Sequence, residues 1–161
     1  MESENTTIIN NTLDDGYDFF ITDKWKKKYH FKVNSFYVPS GLFSEAIEII
    51  DINPEIEPRI FHLLFDFDQD VEKAEMLLKA KIKIGINRRH LTMKNGKLSI
   101  NNKQQLRGRI EYSYDSNDSG FFKMFVIDGK RITFEQFAEM LEPYPSFNFK
   151  FEIFDSTDMI D

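Results

Sequence analysis

The stretch that decides the fold runs from residue 122 to residue 155 and reads FKMFVIDGKRITFEQFAEMLEPYPSFNFKFEIFD. Asp128-Gly129 is typical of a two-residue hairpin, because a type I′ turn needs positive φ angles that Asp and Gly tolerate. Thr133 is expected to cap a short helix, and Gln136 three residues later would complete a capping box. These signals predict a strand, a tight turn and a helix over about 134–141.

The end of the same stretch predicts another strand. Pro143 and Pro145 end the helix, because proline lacks an N–H donor and clashes with the preceding turn. Apolar and polar residues then alternate over residues 147–153, which is typical of a strand with one buried face. We therefore expect a strand–turn–helix–strand unit without a recognisable catalytic motif.

The rest of the chain predicts more strands and one long helix. Apolar runs and alternations indicate strands at residues 29–38, 42–52, 60–67, 97–100 and 106–114. Apolar residues at helical spacing predict a helix over about 71–90. The expected fold is α+β: a mostly antiparallel sheet of about six or seven strands with two packed helices, at about 71–90 and 134–141.

Length and composition predict a single domain. The 161 residues suit one core. We expect a largely flexible N-terminal tail at 1–22, one α+β domain at 23–155 and a short acidic tail at 156–161. Because the chain has no cysteine, no recognisable signal peptide and no long apolar run, we expect a cytoplasmic protein without disulfides or membrane contact.

The aspartates before the long helix only superficially resemble a calcium-binding loop. Asp66, Asp68 and Asp70 have the spacing of its first positions, but the sixth and twelfth should be Gly and Glu. Val71 and Leu77 stand there instead. We interpret Asp70, or Asp68 if the helix begins early, as a helix cap.

No other motif predicts catalysis or a cofactor. His30, His62 and His90 lack the spacing of a metal site, and no cysteine could join them. The sequence also has no nucleophile elbow and no phosphate-binding glycine loop. We expect no catalytic residue, no metal and no cofactor, and we favour a protein that is not an enzyme; folding could still assemble a site from distant residues.

The charge distribution is the one feature that points to a partner. The chain is acidic, with a net charge of −6, yet residues 79–109 contain ten Lys or Arg residues and no Asp or Glu. Such a charge split bears on the choice of partner and not on the fold. The candidate partner-binding residues are Arg88, Arg89, Lys94, Lys97, Arg107 and Arg109.

Arg107 and Arg109 share one face of the predicted strand 106–114. If Ile110 and Tyr112 on the other face are buried, both arginines point outward and could bind carboxylates or phosphates. The alternative is that they pair with Glu111 or with acidic residues of a neighbouring strand.

Several segments together resemble an uncharacterised bacterial family, a domain of unknown function, over about residues 29–155. The resemblance implies a bacterial or phage-associated origin and supplies no activity and no functional residue. The residues that carry it are EAIEI at 45–49, RRHL at 88–91, RGRIE at 107–111, VIDGK at 126–130, Phe137, Met140, Leu141, Tyr144 and FKFEI at 149–153.

Two functions from different classes are compatible with the sequence. The first is a non-catalytic protein-interaction module, such as an accessory, immunity-like or regulatory subunit of a bacterial or phage conflict system, binding a protein partner or a second copy of itself. The alternative is a nucleic-acid-binding or nucleic-acid-processing protein that uses the basic segment 79–109. The acidic character of the whole chain favours the first function.

Overall fold

The computed structural model describes residues 16–115 and 120–159, and these residues form nine strands and two helices. The strands pair antiparallel in sheets of four, two and three strands. The α+β fold with two helices is therefore confirmed, although the strands are more numerous and lie in three sheets instead of one. Of the two predicted tails, residues 1–15 and 160–161 lie outside the described part of the chain.

The described residues form two compact units. Unit 1 comprises residues 16–51, 58–87 and 152–159, and unit 2 comprises residues 52–57 and 88–151 without 116–119. Each unit has its own hydrophobic core. That residues 23–155 behave as one domain stays a prediction.

Unit 1 is a four-stranded meander covered by the long helix. Its first strand lies within the predicted N-terminal tail, where Tyr17, Phe19 and Ile21 pack against the core. In chain order the strands are β1 (Tyr17–Thr22), β2 (Lys28–Val38), β3 (Gly41–Glu48) and β4 (Ile60–Phe65), and they are adjacent in that order.

Helix α1 (Val71–Ile86) buries one face on this sheet. The Asp70 side chain accepts a hydrogen bond from the N–H of Glu72, which confirms the predicted cap. The helix ends at Ile86, so the predicted end near residue 90 is wrong; Asn87 is its C-cap. The buried core of unit 1 consists of Tyr29, Phe31, Val33, Ala46, Leu63, Leu78, Ile82 and Ile86.

Unit 2 combines a hairpin, a three-stranded sheet and the short helix. The hairpin pairs β5 (Leu91–Lys94) with β6 (Lys97–Ile100). The sheet has the order β7 (Arg109–Asp115), β8 (Gly120–Ile127) and β9 (Lys130–Ile132). Ile56 extends it through an antiparallel bridge to Lys130. The buried core of unit 2 consists of Ile100, Ile127, Ile132 and Met140.

The segment that decides the fold is mostly, but not wholly, as predicted. Asp128 and Gly129 have φ angles of 53° and 75° and connect β8 to β9. Thr133 and Gln136 form the complete capping box of α2 (Phe134–Met140). The strand predicted at residues 147–153 is wrong: among the described residues no strand follows β9. Alternation indicates that one face of a segment is apolar, but it does not show that the segment belongs to a sheet.

Candidate functional site

All six candidate cationic residues belong to unit 2, where the structure separates them into different environments. Lys94 and Lys97 face each other as the last pair of the β5–β6 hairpin. Asn95 and Gly96 form the turn between them with φ angles of 53° and 78°, as the Asn-Gly dipeptide predicts. Because this turn is tight, both lysines are held at the tip of the hairpin, and both are exposed.

A groove of about 610 Å³ lies between this hairpin and the C-terminal end of α2. Its apolar lining comes from both elements. Its charged residues have opposite signs: the hairpin contributes two lysines, and α2 and the turn after it contribute two glutamates. The residues that line the groove include Met93, Lys94, Lys97, Leu98, Glu139, Met140, Glu142 and Pro143.

The lining of the groove combines apolar and charged side chains. Met140 is buried and anchors α2 in the core, whereas Met93 is 58% exposed at the edge of the hairpin. Methionine side chains adapt to irregular surfaces because they are unbranched and polarizable. No histidine lines this groove. The groove therefore offers apolar contact with cations on one side and anions on the other.

Arg107 lies in the segment before β7, near His90. His90 Nδ1 is 3.3 Å from the Gln105 carbonyl oxygen, which brings residues 88–91 beside residues 105–107. Burial lowers the pKa of His90 below its usual value. The Asp128 carboxylate and the Gln105 carbonyl oppose this effect by raising the pKa. The positive charges of Arg107 and Arg88 lower the pKa further. The structure thus brings two of the predicted cations close to a histidine.

One nitrogen of the Arg107 guanidinium is enclosed. Its Nη1 atom is buried and has no hydrogen-bond partner in the part of the chain that the structure describes. An enclosed donor of this kind is unavailable to a phosphate unless the side chain moves. The predicted role of Arg107 in binding stays a prediction.

Arg109 adopts the alternative arrangement that the sequence analysis left open. Its Nε is hydrogen-bonded to the Glu111 carboxylate, and both side chains are partly buried. Ile110 and Tyr112 are exposed, so the expectation that these two residues are buried while the arginines point outward is wrong. Arg109 lies opposite Val126 of β8, and Glu111 lies opposite Met124. Because Val126 and Met124 are buried, the covered face of β7 is the one that carries Arg109 and Glu111.

The last cation, Arg89, is exposed, and its carbonyl oxygen accepts a hydrogen bond from Asn101 Nδ2 at 2.7 Å. Of the six candidates, the structure therefore brings Lys94 and Lys97 together in the groove and Arg88 and Arg107 near His90. Arg89 and Arg109 lie in neither set.

The three histidines do not form one site. His30 Nε2 lies 2.7 Å from the Asp18 carboxylate, and His62 Nε2 lies 3.6 Å from that of Glu45. Among the described residues no group of three or more His, Cys, Asp or Glu side chains could hold a metal ion.

Unit 1 contains a buried polar cluster that the sequence analysis missed. Tyr17 and Ser35 each donate a hydrogen bond of 2.5 Å to the Glu75 carboxylate, and the Ser35 and Ser44 hydroxyl oxygens are 2.7 Å apart. Burial and then the bond to Glu75 raise the pKa of Tyr17 far above its usual value. Since both serines are fully buried between α1 and the sheet, the cluster serves packing and is closed to a ligand. No local sequence signal joins residues so far apart.

Neither helix, within the residues that the structure describes, is long and apolar enough to cross a bilayer. Two family models, both of domains of unknown function, match parts of the chain. One model, Domain of unknown function (DUF7686), matches residues 15–87, and a second, Domain of unknown function (DUF7713), matches residues 89–158. The expected resemblance to an uncharacterised domain family is confirmed, while a bacterial origin stays a prediction. No curated protein and no solved structure matches the chain.

Proposed function

We propose that this chain is a non-catalytic protein-interaction module that acts as an accessory, immunity-like or regulatory subunit. The observation that carries the proposal is the groove between the β5–β6 hairpin and α2. Its partner is a peptide segment of another protein, with an apolar side chain that enters between Met93 and Met140. An acidic residue of the segment would contact Lys94 or Lys97, and a basic residue would contact Glu139 or Glu142.

The charges of the groove favour a protein over a nucleic acid. A phosphate backbone presents only negative charge, so it would be repelled by Glu139 and Glu142. A peptide can match both signs, and such complementarity selects partners and fixes their register. The fold also removes cations from the basic segment: Lys81 is buried against backbone carbonyls and Arg109 is paired with Glu111.

Exposed apolar side chains elsewhere in unit 2 give further support. Aromatic residues and methionine are enriched in protein–protein interfaces compared with the rest of the surface. Outside the groove, the exposed apolar residues of unit 2 include Phe134, Leu141, Phe147 and Phe149.

To test the proposal, the tagged chain is used to capture its partner from the native host. The partner is identified by mass spectrometry and then purified. Isothermal titration calorimetry then compares wild type with Met93→Glu and with Lys94→Glu/Lys97→Glu. We expect each variant to bind at least about fivefold more weakly, since loss of one interface anchor typically costs more than about 1 kcal/mol.

Two matched controls lie on α1 in unit 1, outside the groove. Met76→Glu changes another exposed methionine, and Lys83→Glu another exposed lysine. Both should bind as wild type does. If the groove variants bind the partner with wild-type affinity, the proposed binding site is wrong.

A second measurement tests the nucleic-acid alternative directly. Fluorescence anisotropy with labelled single-stranded DNA and RNA, at low and at physiological salt, should show no saturable binding. Binding that weakens steeply with salt and is lost in Lys94→Glu/Lys97→Glu would instead support nucleic-acid recognition.

A further inference from the structure

The turn between β1 and β2 carries a concentrated positive charge. Residues 24–28 read KWKKK, and all five of these residues are exposed. The Asp23 carboxylate at the start of the turn belongs to a residue that is only 4% exposed. Exposed charges set the electrostatic potential that a partner meets. The exposed surface of the turn is therefore basic, whereas the chain as a whole has a net charge of −6.

Hydrogen bonds hold this turn in a defined conformation. Asp23 Oδ1 accepts hydrogen bonds from the backbone N–H of Trp25, at 2.8 Å, and from that of Lys27, at 2.9 Å. The backbone N–H of Lys24 donates to Asn87 Oδ1 at 2.7 Å, which joins the turn to the C-terminal end of α1. Because the backbone is ordered before a partner arrives, binding to the turn costs less conformational entropy.

An arginine joins the turn from the connection between β3 and β4. The Lys27 ammonium lies 4.9 Å from the centroid of the Tyr29 ring, and the Arg59 guanidinium lies 5.4 Å from the same centroid. The carboxylates of Asp23 and Glu48 also act on Tyr29, but both residues are buried, and together they offset only part of the positive charge of four lysines and one arginine. Like charges held this close repel each other, and an anion bound outside them would relieve the repulsion.

We propose that this basic patch binds a short acidic segment of a partner protein, whose carboxylates contact the lysine ammonium groups. Such charge complementarity speeds association and selects partners. The patch belongs to unit 1, so the proposal goes beyond the groove of unit 2 and does not depend on it. The basic patch consists of Lys24, Lys26, Lys27, Lys28 and Arg59.

Two features favour a peptide over a nucleic acid or an anionic membrane. The Lys24 ammonium lies over the Trp25 ring, 4.6 Å from its centroid, and so occupies one face of the aromatic group that would stack on a base or enter a lipid interface. A nucleic acid also extends beyond the turn and meets the rest of a chain in which 27 Asp and Glu residues outnumber 21 Lys and Arg residues. A short peptide ends near the lysines, and charges more than about 8 Å away are largely screened at physiological salt.

Fluorescence anisotropy of the full chain with a labelled peptide of alternating Glu and Gly gives the first test. Binding should saturate at low salt and weaken as salt is added, because salt screens exposed charges. Lys26→Glu/Lys28→Glu should bind the peptide at least about fivefold more weakly, since two attractive contacts become repulsive. Lys26→Gln/Lys28→Gln removes the two charges without adding repulsion and should bind with an intermediate affinity.

The matched control is Lys73→Glu/Lys103→Glu, which makes the same change in net charge at two exposed lysines outside the patch. It should bind the peptide as wild type does. A control that binds as weakly as Lys26→Glu/Lys28→Glu would overturn the proposal, because the peptide would then respond only to the net charge of the chain. Two-dimensional NMR spectra of each variant verify that it is folded.

NMR titration with the same peptide locates the site on the wild-type chain. The amide signals of residues 24–28 and of Arg59 should move as the peptide is added. Movement confined to Lys94 and Lys97 would place the acidic peptide in the groove and overturn the proposal for the turn. Binding of single-stranded RNA or of phosphatidylserine vesicles at physiological salt, lost in Lys26→Glu/Lys28→Glu, would overturn it as well, because the partner would then belong to another class.

Discussion

Asp128 shows how a single residue can have one role that the sequence predicts and another that it does not. With Gly129 it forms the tight turn between β8 and β9, as the dipeptide indicates. Its carboxylate also accepts hydrogen bonds from the backbone N–H groups of His90, at 2.9 Å, and Leu91, at 2.8 Å. The start of β5 is therefore held by a residue 37 positions away from Leu91.

Asp128→Asn separates the two roles. Asparagine tolerates the same positive φ angle, so the turn is kept, but the side chain has one acceptor oxygen instead of two and no charge. We expect a loss of about 1–2 kcal/mol in the free energy of unfolding, measured by urea denaturation, because a partly buried N–H loses a charged acceptor.

Asn95→Asp is the matched control, since Asn95 occupies the equivalent position of the β5–β6 turn with the same φ angle of 53°. It should change the free energy of unfolding by less than about 0.5 kcal/mol, as is usual for exposed positions. If Asp128→Asn has an equally small effect, the carboxylate does not anchor β5.

Residue patterns alone did not identify which face of β7 is covered. Alternation correctly places Arg109 and Glu111 on one face and Ile110 and Tyr112 on the other. Hydrophobicity then favours burial of the second face, whereas the structure exposes it. The deciding factor is the register with β8, which is a long-range property that no local pattern contains.

Among the elements, α2 was predictable because its signals are local. Its capping box involves residues three positions apart, so sequence and structure agree on where it begins. α1 shows the limit of this reasoning, because it buries Glu75 and Lys81 beside its apolar residues. The partners of these side chains among the described residues include Ser35 and His62, which are distant in sequence, and a helical repeat cannot reveal them.

Lys81 connects three separate parts of unit 1. Its Nζ donates hydrogen bonds of 2.8 Å to the carbonyl oxygens of His62 in β4 and Ser156 near the C-terminus. Burial lowers the pKa of Lys81, and the carboxylates of Asp158 and Asp155 partly oppose that effect. The C-terminal residues are thereby tied to the edge of the four-stranded sheet.

Lys81→Met should loosen this attachment, because methionine has a similar length but cannot donate to either carbonyl. Hydrogen-exchange mass spectrometry should show faster exchange of the amides at residues 155–158, by about tenfold if roughly 1.4 kcal/mol of local stability is lost. Lys83→Met on the same helix is the control and should not alter exchange there, since Lys83 is exposed. Unchanged exchange in Lys81→Met would mean that Ser156 is held by other contacts.

Across the whole molecule, the basic segment of the sequence is divided between the two units. Lys79, Lys81 and Lys83 belong to unit 1, while the other seven cations of residues 79–109 belong to unit 2. Lys79 lies over the rings of Tyr17 and Phe19, 5.0 Å from each centroid. The charge split is visible in the sequence, but the fold distributes these cations among packing, ion pairing and exposure.

The division into two units agrees with the family comparisons only in part. The first family match ends at residue 87, and the second begins at residue 89. Both ends lie next to the boundary between the two units, which falls between Asn87 and Arg88. Residues 52–57, however, lie within the first match but belong to unit 2. The connection from β3 to β4 thus leaves unit 1, joins the sheet of unit 2 and returns.

Because residues 52–57 join β3 to β4 of unit 1 but belong to unit 2, we expect the two units to unfold together. Within unit 2, the N–H of Glu57 donates a hydrogen bond to the Gly129 carbonyl oxygen, and the N–H of Arg131 donates one to the Glu55 carbonyl oxygen. The Glu57 carboxylate also forms an ion pair with the Arg131 guanidinium. If β9 unfolds, these bonds are lost and the residues joining β3 to β4 become free. We therefore expect the same urea midpoint for both units when amides of β2 and of β8 are followed by pulsed hydrogen exchange.

Replacing residues 52–57 by a six-residue Gly/Ser linker removes the shared segment while keeping the chain continuous. Such a linker behaves as a flexible coil and cannot supply the side chain of Glu57 or a defined strand pairing. The midpoints for β2 and β8 should then separate, with unit 2 unfolding at the lower urea concentration because β9 keeps β8 but has lost its pairing with the segment around Ile56. Trp25, the only tryptophan, belongs to unit 1 and gives an independent fluorescence signal for that unit. Two separate midpoints in the wild-type chain would contradict the prediction, because the connection would then be too weak to couple the units.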